Sequence, residues 1–265
     1  MESANHDALR APLHRLEPEV VDRVASRRDA IRRIGGTLVG AAGFSVAFAA
    51  AAREAFAQDQ GMPLSVQEVL SFALTLERLE NTFYTMGLEA EGLIPDDVRV
   101  VFETIQGHEQ AHVNFLEEAL GSKAGEAPEF DFTAGGKFDP FETYATFLLL
   151  SQAFEDTGQR AYRGQAPNLA SDPMVLTQAL TIHSVEARHA ALVRSLRDLQ
   201  GWIPLDQPEA PAPVAAVYAG MSQTEKYGVS LTDVSDAGER QITEAFDEGL
   251  SMEEVLDIAG QFIRS

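Results

Sequence analysis

Cysteine is absent from the 265-residue chain. That absence excludes disulfide frameworks, thiolate zinc sites, iron–sulfur clusters and cysteine nucleophiles. It leaves any bound metal to His, Asp, Glu or backbone oxygen. Positive charge is also scarce: 20 Lys+Arg stand against 41 Asp+Glu, a formal net charge of −21. Such a surface repels nucleic acid and anionic lipid, so no nucleic-acid partner is expected. Aromatic residues make up only 8%, but hydrophobic residues reach 45%, enough for one full-sized domain with a small appendage.

The charge is divided unevenly. Residues 1–57 carry 8 Lys+Arg against 7 Asp+Glu, whereas the remaining chain carries 12 against 34. The first piece has three parts in order: the basic stretch Ser26-Arg27-Arg28-Asp29-Ala30-Ile31-Arg32, a charge-free run from Ile34 to Ala52, and the small-x-small site Ala55-Phe56-Ala57. Basic start, apolar run and small-residue exit predict an export signal over 1–57, cleaved after Ala57, and a periplasmic or extracellular protein. The paired arginines resemble the twin-arginine type, departing from it at Ala30, where that pattern prefers Phe. An uncleaved leader would be the one contact with a membrane, since 19 residues just span a bilayer.

From Ser65 to Arg197 apolar residues recur at three- and four-residue spacing, which predicts an all-α fold with helices at 65–91, 96–120, 139–163 and 172–198. Ser65-x-x-Glu68 reads as a capping box, and Asp139-Pro140-x-Glu142 and Ser171-Asp172-Pro173 read as helix starts. A short turn containing Pro95 makes the first pair antiparallel, and a link of about twenty residues from Gly121 separates the pairs. These features predict a four-helix bundle over 58–200 with one long crossover. Residues 201–265 read as a proline-rich connector and a C-terminal helical tail, with Ser251-x-x-Glu254 capping its last helix.

Polar residues interrupt the apolar stripes halfway along each helix. Glu77-x6-Tyr84 is followed by Glu109-x-x-His112, and Glu155-x6-Tyr162 by Glu186-x-x-His189, at intervals of 32 and 31 residues. A single Glu-x-x-His pair is commonplace on an exposed helix; the doubled set with matching tyrosines is not. Residues three apart share a helix face, so each pair reaches one point. Four carboxylates buried together would be prohibitively costly alone, whereas two divalent cations neutralise them. Bridging carboxylates hold such ions ~3.5–4 Å apart.

This pattern resembles the ferritin-like superfamily of di-iron and di-manganese carboxylate proteins, whose motif is Glu, Glu-x-x-His, Glu, Glu-x-x-His. The resemblance spans about residues 65–198 and fills all six positions: Glu77, Glu109, His112, Glu155, Glu186 and His189. The phrases at 76–84 and 108–112 resemble the exported branch related to desiccation-associated proteins. The resemblance implies two divalent metal ions, iron first and manganese next, and redox chemistry of ferrous iron, dioxygen or peroxide, of ferroxidase, peroxidase or catalase type. The alternative is a non-enzymatic metal-binding or structural/stress-protection module on the same bundle. A homo-oligomer, including an iron-storing cage, is compatible with either.

Several neighbours stay open at this level. Glu80 lies one turn from Glu77 on the same stripe, as a supporting group or a shifted ligand. His183 is an extra ligand, an orienting group or a satisfied buried histidine. Tyr84 and Tyr162 either hydrogen-bond a carboxylate on a neighbouring helix or serve as core aromatics. His108, adjacent to Glu109, is expected at the surface or in interhelix packing, and Arg78, Arg160, Arg163 and Arg188 in solvent or surface pairs.

Overall fold

The computed structural model describes residues 64–205, 212–226 and 228–264. The expected leader lies outside the described residues, as do the side chains of Leu64 and Ser65 and hence the capping box expected there. Four long helices dominate: α1 (Leu64–Glu89), α2 (Asp96–Leu120), α3 (Tyr144–Gln165) and α4 (Pro173–Leu196). Helix α1 packs along α2, and α3 along α4. Among the described residues no helix is long and apolar enough to cross a membrane.

Local chemistry explains the helix ends. Asp96 and Asp97 place negative charge in the first turn of α2, where the helix dipole favours it. Asp172 caps α4 by accepting from the backbone N–H groups of Met174 and Val175 at 3.1 Å, with Pro173 at the first helical position. The third helix corrects the sequence reading. It begins at Tyr144 rather than 139, because Asp139–Glu142 closes a turn of its own and the Thr143 hydroxyl accepts from Thr146 N–H instead.

The long crossover threads Phe132 and Phe138 into the core. Behind the bundle runs a tail that the sequence reading drew only in outline: a two-residue hairpin (β1, Glu225–Lys226; β2, Val229–Ser230), then α5 (Leu231–Val234), α6 (Glu239–Thr243) and α7 (Met252–Ala259). Ser251 and Glu254 form the expected capping box on α7. Phe262 at the end of the tail packs on Phe154 and Phe138, and Asp131 N–H donates to its carbonyl. Gly164 and Gly249 let the two backbones touch; a Cβ on Gly164 would lie 1.8 Å from the Leu250 carbonyl oxygen.

This docking buries α3 on every side from Ser151 to Tyr162. Arg160 is therefore not a solvated arginine. Its guanidinium is buried and donates to the carbonyls of Val217, Ala219 and Glu248. Asp156 and Arg194 form a buried ion pair at 2.8 Å, and Tyr218 donates to the same carboxylate at 3.0 Å. Arg78, by contrast, pairs with Glu117 at 2.8 Å near the surface.

Candidate metal centre

Glu109 and His112 face inward from α2, Glu186 and His189 from α4, Glu77 from α1 and Glu155 from α3, and all six are buried. The i, i+3 spacing puts each glutamate and its histidine on one face. Nδ1 of His112 lies 3.0 Å from Glu77, 3.2 Å from Glu109 and 3.2 Å from Glu186. Nδ1 of His189 lies 2.8 Å from Glu109 and 3.3 Å from Glu155. Two groups of four result, one of Glu77, Glu109, His112 and Glu186, the other of Glu109, Glu155, Glu186 and His189; each offers ligand atoms all within 4.8 Å of one another. Glu109 and Glu186 belong to both.

The tyrosines cross over between the halves of the duplication. Tyr84 donates to Glu155 at 2.5 Å, and Tyr162 donates to Glu77 at 2.5 Å. Each phenol thus holds the outer oxygen of a glutamate on a different helix. Burial raises both phenol pKa values well above the ordinary range, and the facing carboxylates raise them further, so the hydroxyls remain donors.

Glu80 is a fifth buried carboxylate, outside both groups. It meets Glu186 across Gly158, where an added Cβ would lie 3.0 Å from an oxygen of each. His183 stays half-buried and pairs its Nδ1 with the Gln159 carbonyl at 2.9 Å, apart from the cluster. His108 lies at the exposed edge of the bundle and in interhelix packing, as expected, but against a site histidine that the spacing does not reveal. Its Nδ1 lies 2.9 Å from Nε2 of His189, and the two rings stack at 5.2 Å. Nothing in local spacing says which neighbouring helix a residue will face, so the sequence leaves this contact hidden.

Five carboxylates this close cannot all ionise unaided. Burial pushes Glu77 up to about 7 against the pull of His112. Burial and the neighbouring carboxylates raise Glu80 and Glu186, and burial raises Glu155 against the pull of His189. Burial opposes ionisation of Glu109 as well, but His112 and His189 together hold it below the usual carboxylate range. Burial disfavours the charged imidazoles, yet the facing glutamates raise His112 and His189 well above the ordinary value.

The donor set fits divalent metal ions. Glu109 Oε1, Glu155 Oε2, both Glu186 oxygens and His189 Nδ1 are buried without a hydrogen-bond partner, although His189 and Glu109 stand 2.8 Å apart. Their close approaches lack hydrogen-bond geometry. Buried polar atoms normally find partners, so several orphaned atoms aimed at one point call for an ion. Nitrogen and oxygen ligands in this mixture suit divalent metal ions of the first transition row.

A family model described as a ferritin-like domain matches residues 65–198, from the start of α1 to just beyond α4. No curated protein matches the chain.

Proposed function

From the premise that the chain belongs to the ferritin-like family, we propose that its bundle binds two divalent metal ions, iron first and manganese next, for redox chemistry on ferrous iron, dioxygen or peroxide. Glu77 and His112 would hold one ion and Glu155 and His189 the other, with Glu109 and Glu186 shared. When bound, such a pair of redox-active ions would supply two-electron chemistry towards dioxygen or peroxide. The chain's own residues set the frame. Tyr84 and Tyr162 fix the outer oxygens of Glu155 and Glu77, leaving the inner ones free to turn to the centre. His108 occupies the remote nitrogen of His189, so that Nδ1 faces inward.

The observation that carries this reading is the set of buried, unpartnered oxygens and the His189 nitrogen between the four helices. The test is the metal content of protein purified from its native compartment, followed by its consumption of dioxygen and peroxide. Two iron or manganese ions per chain with turnover is the expected result. Two ions without turnover would support the non-enzymatic metal-binding or structural/stress-protection module instead, and absence of metal would refute both.

The basic-then-apolar leader supports export by a twin-arginine-type route to the periplasm or beyond, as in the branch related to desiccation-associated proteins. Appearance of the mature chain outside the cytoplasm, beginning at Gln58, would test that placement.

A further inference from the structure

The cavity at one end of the bundle is not absorbed by the metal-binding reading. It is formed by the start of α1, the end of α2, the end of α3 and the start of α4, and it opens to solvent on one side. Apart from the Tyr162 phenol and the amides of Gln165 and Gln178, its lining is apolar.

Its position relative to the candidate centre is consistent on three of the helices, and on α3 it begins at Ala161, six residues beyond Glu155. Ala73 precedes Glu77 by four residues, Leu116 follows His112 by four, and Ile182 precedes Glu186 by four. Four residues are about one helical turn, roughly 6 Å along the axis. Tyr162 joins the two spaces: its ring lines the cavity while its hydroxyl donates to Glu77.

We propose that this cavity is a binding site for a small, uncharged, apolar molecule, namely dioxygen, held next to the metal centre. This deepens the reading above and rests on it for the identity of the ligand. Water gains few hydrogen bonds against such a lining, and apolar cavities stay dry enough to take up apolar guests. Peroxide and ferrous ion would both have to shed hydration to enter, whereas dioxygen loses almost none. The cavity therefore selects among the oxidants that the metal centre alone leaves equivalent. Short side chains at Ala73 and Ala179 keep the space open.

Crystals of the whole protein under xenon pressure provide the direct test, since xenon reports an apolar site whether or not metal is loaded. The expected result is xenon in the cavity beside Tyr162, lost in Ala179→Leu. The metal-loaded variant should show a severalfold higher KM for dioxygen, a smaller change in KM for peroxide, and parental metal content. Ala73→Leu fills the same space from another helix and serves if the first variant fails to fold. No xenon in the parent protein, or xenon displaced with KM for dioxygen unchanged, would overturn the proposal. A protein that takes xenon but consumes no dioxygen would refute the assignment of dioxygen, while leaving an apolar site established there; consumption of neither dioxygen nor peroxide would refute the redox reading as well.

Discussion

On one side of the carboxylate cluster the bundle is filled with rings: Phe83 packs on Phe147, Phe154 and Phe132 at centroid distances of 5.0–5.2 Å, and Tyr84 sits among them. On the other side, around Tyr162, the same bundle is lined mostly by alanine, leucine, valine and isoleucine, with Phe72 and Phe115 among them, and keeps a cavity. The two tyrosines make equal bonds of 2.5 Å to equivalent glutamates. The duplication is thus preserved in the Glu/Tyr and Glu-x-x-His contacts, broken at Glu80, whose counterpart is Gly158, and lost one layer behind the cluster. The polar geometry is copied between the halves, and the apolar layers decide which side is sealed.

The largest expected effect comes from opening the sealed end. Phe147→Ala should cost about 3–5 kcal/mol in chemical denaturation, because a fully buried ring leaves a hole among other rings. Leu116→Ala at the cavity end should fall near the low end of about 2–5 kcal/mol, since the site already borders empty space. Equal costs would break the contrast.

The second effect is pH-dependent and belongs to the cluster between the ends. Glu77 ionises near 4.5 when unfolded but is held to about 7 when folded, so the metal-free folded chain binds the extra proton between those values. Stability present below about pH 4.5 is therefore lost as pH rises towards 7, about 3 kcal/mol from this group alone. The raised imidazoles of His112 and His189 add loss of the same sign above their ordinary range; the lowered imidazole of His108 opposes it, whereas the contribution of Glu109 changes only below about pH 4.5. Melting curves of metal-free protein should fall across this window, and loading with metal should raise and flatten them.

Smaller effects sharpen the comparison. Tyr84→Phe and Tyr162→Phe each remove the donor to a buried carboxylate oxygen and should cost about 1–3 kcal/mol, nearly equal despite their different surroundings. Smallest are the caps. Thr143→Ala at the ring end and Asp172→Ala at the cavity end should each cost about 1 kcal/mol, with Asp172 the larger because it satisfies two N–H groups.

Helical periodicity made the bundle legible in the sequence, and the doubled Glu/Tyr and Glu-x-x-His spacing marked the residues that meet at its centre. Both depend on separations within single helices, where 3.6 residues per turn fixes direction. Features set by distant segments were not legible. Arg160 looked solvated because the carbonyls it grips lie 57–88 residues away in the tail. His108 could not be joined to His189 across 81 residues. The start of α3 was misplaced because Asp139-Pro140 and Thr143 both carry helix-start chemistry, and the turn at 139–142 claims the first.

The central claim is that the buried glutamates and histidines exist to hold metal. Anomalous diffraction from crystals of protein loaded with ferrous or manganous ion tests it most directly. The account predicts two peaks among Glu77, Glu109, His112, Glu155, Glu186 and His189, both absent in Glu109→Ala. Bound metal found only at the surface, with the six side chains left in contact with one another, would contradict it.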